Sequence, residues 1–100
     1  MFAITGHKEF SLTFANGNTC SVQWGPGNYG DHRNLSNFSM PKAVEVWKSG
    51  KAEIAAWDQD GVWYHFGYDD VKGWCTADQV ASFIHFVATK NLTKARWAEE

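Results

Sequence analysis

Tyr29-Gly30-Asp31-His32-Arg33-Asn34 is the densest run of chemically capable side chains in the sequence. Tyr29 offers an aromatic face for stacking, and the planar guanidinium of Arg33 suits a phosphate or a carboxylate. His32, Asn28 and Asn34 add hydrogen-bonding edges, and Asp31 can join a site or pair with Arg33. The run follows Gly25-Pro26-Gly27-Asn28, where proline and glycine take the central places of a type II turn. Backbone amides exposed in such a turn can cradle an anion. The spacing is not that of a Walker or dinucleotide motif, because no helix start follows. Two readings stand. One is a loop that binds a ligand or a partner; the other is an Ω-like loop packed by Tyr29, Leu35 and Phe38, with Arg33 satisfied locally.

Other chemistries have less behind them. His7, His32, His65, His85, Cys20 and Cys75 show no metal-ligand spacing, so neither a metal nor another cofactor is expected. Cys20 alternates with apolar positions, and Cys75 precedes a helix start where a thiolate could be stabilised. Burial is the expected role of both. Asp58, Asp60, Asp69 and Asp70 read as turn carboxylates. With no nucleophile–base pair to assign, a binding protein is expected rather than an enzyme.

The elements that must position these residues follow from alternation. Phe10, Leu12 and Phe14 share one face of a strand, and Cys20, Val22 and Trp24 share one face of the next. A three-residue Asn16-Gly17-Asn18 loop, with Asn18 left-handed, would pair Phe14 with Cys20, Leu12 with Val22 and Phe10 with Trp24. A Lys48-Ser49-Gly50 loop would likewise pair Val46 with Ala52 and Val44 with Ile54. That second strand turns at Asp58-Gln59-Asp60-Gly61 into a further one expected over 62–66. Thr76 and Gln79 form a capping box that opens a helix, and Val80, Phe83, Ile84 and Val87 form its apolar stripe. Asn91 suits a left-handed C-cap, and 91–100 reads as a loosely held tail anchored by Trp97. The expected fold is therefore α+β: an antiparallel meander of about five strands with one C-terminal α-helix packed on a face. Residues 1–6 are left open as a further strand, and 25–42 form a long irregular loop.

Composition fits a single domain over residues 1–100. The net charge of −2 gives no basic footprint, so direct nucleic-acid binding is not expected. No run approaches a membrane span, and "MFAITGHKEF" lacks the pattern of a secretory signal, so a cytoplasmic location is expected. Aromatic residues are in surplus. Trp47, Trp57, Trp63 and Trp74, with Tyr64, Tyr68 and Phe86, exceed what one sheet face and one helix can hide. Either a second face is covered or the surplus forms a contact surface. Trp57, Trp63 and Tyr64 thus join Tyr29, Asp31, His32, Arg33 and Asn34 as candidate contact residues.

"FANGNTCSVQWGPGNYGDHRN", the "AEIAAWD" hairpin and "DDVKGWCTADQVASFI" together resemble a family of small proteins encoded by bacteriophages and prophages, with no assigned activity. The likeness spans Phe10 to Val87. It implies a small protein made in the host cytoplasm during infection, and such proteins often block host defences, including CRISPR systems and nucleotide-signalling immunity. The expected partner is a host protein or protein complex, antagonised by direct contact. The alternative is a nucleotide or other small molecule held by the 25–42 loop. The oligomeric state is left open.

Overall fold

Strict alternation over short segments makes strands, and one capped apolar stripe makes a helix; both are present in a computed structural model that describes residues 1–6, 9–25 and 48–100. Strands β1 (Phe2–Thr5), β2 (Glu9–Thr13), β3 (Thr19–Gln23), β4 (Ala52–Trp57) and β5 (Lys72–Cys75) form one antiparallel sheet in chain order, followed by α1 (Ala77–Thr89). The class is α+β. Ile4, Phe10, Val22 and Ile54 line up across four strands, and Phe2, Leu12, Cys20 and Ala56 form the neighbouring row. Helix α1 packs over β3 and β4 on this face, where Cys20, Val22, Ile54 and Ala56 are buried with Phe83 and Val87. The face away from the helix carries Ser21, Thr19 and Ala55, which are buried too.

Several local details differ from expectation. The β2–β3 loop does have three residues, but they are Ala15-Asn16-Gly17. Leu12 pairs with Cys20 and Phe10 with Val22, and the loop closes on Phe14 and Asn18. This two-residue shift keeps every side chain on its expected face, which is why alternation alone could not detect it. Gly17 takes the left-handed place at φ 87°, and a Cβ there would stand 2.9 Å from that of Gln59. Asn18 is released for another task.

That task is at the helix end. The Asn18 side-chain amide donates to the carbonyls of Val87 (3.0 Å) and Lys90 (2.9 Å), and the Asn16 amide also donates to Val87 (3.0 Å). The final carbonyls of a helix lack partners within it, and here a distant loop supplies them. The expected left-handed cap at Asn91 is not formed. Lys90 caps the helix in an extended conformation, its N–H donating to the Phe86 carbonyl. At the other end the capping box is as expected: Thr76 accepts from the Gln79 amide (3.2 Å), and Gln79 accepts from the Thr76 amide (2.8 Å).

The strand expected over 62–66 is replaced. Tyr64 N–H bonds to the Ala56 carbonyl and Trp63 bridges Trp57, so a hairpin begins after β4. It stops there because β5 takes the same edge of β4, pairing Lys72 with Ile54 and Cys75 with Ala52. The expected strand over 44–46 lies outside the described residues. Residues 1–6, left open by the sequence, contribute β1.

Freed from the ladder, Tyr64 and Phe66 turn into the core. Tyr64 meets Phe86 and Phe66 edge-on, at 5.3 and 5.0 Å between centroids, and Trp97 meets Phe83 at 5.0 Å. Phe86, counted among the surplus aromatics, is thereby buried. The tail is held at Leu92 and Trp97, both buried, and the Trp97 indole N–H donates to Ser82 (3.0 Å).

Replacing Asn18 by alanine leaves the Lys90 carbonyl without a donor and weakens the hold on Val87. Chemical denaturation should show a loss of about 1–3 kcal/mol, the usual cost of an unsatisfied buried polar group. Asn16→Ala should cost less, because Asn18 still serves Val87.

Candidate functional site

The reversal after β4 is built by Asp58. Its Oδ1 accepts from the amides of Asp60 (2.9 Å) and Val62 (3.0 Å), while Gly61 supplies a positive φ of 79°. Trp57 and Trp63 are thereby brought into contact, with ring centroids 4.9 Å apart. Trp63 stays 42% exposed, but Tyr64 is only 4% exposed. The Tyr64 hydroxyl accepts from the Trp97 amide (2.8 Å) and donates to the Glu100 carboxylate. Burial, reinforced by that carboxylate, pushes the Tyr64 phenol up to about 12. Of the candidate residues, Trp57, Trp63 and Tyr64 are thus gathered, with Trp63 presented and Tyr64 enclosed. Tyr29, Asp31, His32, Arg33 and Asn34 lie outside the described residues.

Beside Trp63, residues 62–65 and 92–96 border a groove of about 430 Å³. His65, Lys94 and Arg96 line it, and among the described residues no carboxylate does. His65 Nδ1 sits 2.9 Å from Asp70 Oδ1, and Arg96 Nη1 donates to Glu100 Oε1 at 2.9 Å. Among the described residues Lys94 has no ion-pair partner. No hydrogen bond joins His65 to a serine, threonine or cysteine among the described residues.

A second surface lies where the sheet runs past the helix. Phe2, Ile4, Phe10, Leu12 and Ile84 line one apolar hollow of about 450 Å³. A neighbouring hollow of about 480 Å³ shares Phe10 and Ile84 and continues to Val22, Trp24 and Val80. Phe2 is 87% exposed and Ile4 74%. These two residues escaped notice because four residues, FAIT, are too short for alternation to be decisive. Lys94 and Arg96 escaped it because their groove exists only once the tail docks against residues 62–65. The absence of charge from 2–5 was the one available signal.

The cysteines are core residues. Burial pushes the Cys20 thiol from 9.0 up to about 12, and it raises Cys75 as well. Among the described residues no three His, Cys, Asp or Glu side chains converge as a metal site would require, and no helix is long and apolar enough to cross a membrane.

Comparison with known proteins finds no matching family model, no matching curated protein and no matching solved structure.

The buried thiols carry a direct consequence. The folded state keeps the Cys20 proton through a range where the unfolded chain loses it, so stability falls as pH rises from 9.0 toward about 12. The melting temperature should drop across that window, and less so in Cys20→Ala. In mildly alkaline buffer below it, iodoacetamide should label Cys20 only as fast as the protein opens.

Proposed function

We propose that the chain is a binding protein that acts by protein–protein contact, its partner adding an extended strand to the outer edge of β1. The observation that carries this reading is the contrast between the sheet's two edges. Exposed edges invite foreign strands, and charges, prolines or bulges normally blunt them. β5 is blunted: it carries Lys72, and three of its steps oppose two on β4, a bulge at which Trp74 takes φ 57°. β1, Phe-Ala-Ile-Thr, has no charge, proline or bulge, and its register with β2 is unbroken.

The ladder tells which groups a partner would meet. Met1 and Thr13 exchange both backbone hydrogen bonds. In an antiparallel pair such positions alternate, so Ala3 and Thr5 also face β2, and the N–H and C=O of Phe2 and Ile4 face outward. The side chains of Phe2 and Ile4 lie on the helix-bearing face, at the mouth of the apolar hollows. An added strand would gain main-chain bonds at Phe2 and Ile4 and could lay its alternate apolar side chains against Phe10, Leu12 and Ile84. The partner's contacting segment is therefore extended, uncharged and apolar at every second residue. The likeness to phage-encoded proteins supports a component of a host defence system as that partner, antagonised by occupancy.

Ile4→Pro removes an outward N–H while sparing the β1–β2 ladder, a place where an edge strand tolerates proline. A host protein bound by the native chain should be lost by Ile4→Pro and by Phe2→Asp, with helix content unchanged. Hydrogen exchange of the complex should protect the amides of Phe2 and Ile4. Protection confined to other regions, or unchanged binding by both variants, would refute strand addition.

A further inference from the structure

We propose that the groove between residues 62–65 and 92–96 binds a small aromatic anion of the nucleoside monophosphate class. This is a second site, separate from the β1 edge, and it does not depend on the protein-contact reading. The volume of about 430 Å³ lies within the ordinary range for small-molecule sites. Its charge runs against that of the chain, which carries 9 Lys and Arg against 11 Asp and Glu. Among the described residues the balance on the groove lining reverses, with Lys94 and Arg96 present and no carboxylate.

The acids nearby offset the charge of Arg96 but leave that of Lys94. Asp70 pairs with His65 and Glu100 with Arg96, but neither lines the groove. Glu100 is also held by the Tyr64 hydroxyl. Arg96 keeps donors beyond the Nη1 that Glu100 engages, and a guanidinium fork with an adjacent ammonium suits a phosphate's several oxygens. Lys94, without an ionic partner among the described residues, gains most from an anion. Trp63 adds the second element. It is half-exposed on the same lining and braced by Trp57, so a planar base can stack on it with little side-chain ordering.

The groove also has a direction. At Val62, Leu92 and Thr93 it meets a second hollow lined by Asp58, Asp60 and Lys90. Anionic groups are favoured at the Lys94–Arg96 end and repelled toward Asp58 and Asp60. The ligand is therefore a compact monophosphate, with its charge at one end and its ring near Trp63.

Two-dimensional NMR titration of the full chain with each of the four common ribonucleoside monophosphates tests this. Adenosine and inorganic phosphate serve as separate arms. At least one monophosphate should shift the Trp63 indole and the Lys94 and Arg96 amides at millimolar concentration. The nucleoside alone and phosphate alone should each bind at least about tenfold more weakly, since each forfeits one of the two contacts. Lys94→Glu changes an exposed side chain with no ion-pair partner among the described residues and should fold normally; it should weaken binding by about tenfold or more. Trp63→Leu should weaken the monophosphate but leave phosphate alone unaffected. Three results would overturn the proposal: no shift in these residues with any monophosphate, shifts that persist unchanged in Lys94→Glu, or phosphate alone binding as well as the nucleotide. Ile4→Pro should leave the titration unaltered, which separates this site from the β1 edge.

Discussion

The hydrogen bonds from Asn16 and Asn18 to the end of α1 set the frame for everything else in the domain. A helix end buried without partners for its carbonyls is costly. Here the partners come from a loop some seventy residues earlier in the chain, so helix and hairpin satisfy each other only in one relative position. That position places α1 over β3 and β4 and leaves β1 and β2 projecting beyond it. The apolar hollows beside Phe10 and Ile84 are a consequence of where the helix is pinned.

A second constraint acts on the other flank. Cys75 and Lys72 take the β4 edge that residues 62–66 would otherwise extend along, so that segment must find another use for its aromatic rings. It turns Tyr64 and Phe66 inward against Phe83, Phe86 and Trp97. Tyr64 also fixes the tail, by accepting from the Trp97 amide and donating to Glu100. The tail in turn completes the groove that carries Lys94 and Arg96. In a small domain, where the fraction of buried surface is limited, these large rings supply much of the stability.

What could be read from the sequence follows from which forces are local. The capping box at Thr76 and Gln79 and the alternation of β2 and β3 depend on near neighbours, and they were legible. The loop register was not, because a two-residue shift leaves every parity intact and is decided by Gly17 and by the remote use of Asn18. The C-cap at Asn91 was misjudged for the same reason: the donors that relieve the helix end are remote in sequence. The 62–66 strand was expected because Val62, Tyr64 and Phe66 do alternate. Competition for one edge of β4, a tertiary fact, decided otherwise. Of the candidate contact residues picked out by the surplus of aromatics, Trp63 is half-exposed and Tyr64 is buried.

The two edges of the sheet show how specificity can be placed by what is left undefended. At β5 the chain accepts a positive φ at Trp74, a conformation that costs a bulky residue about 1–2 kcal/mol. The bulge that results interrupts the ladder between Ala52 and Ile54 and turns Trp74 half out to solvent. A strained bulge is a common way to prevent a foreign strand from docking. Among the described residues β1 has no corresponding device, and its side chains are more apolar. A sheet under uniform pressure to avoid association would blunt both edges. Blunting one and leaving the other regular, beside two adjoining apolar hollows, would direct strand addition to β1.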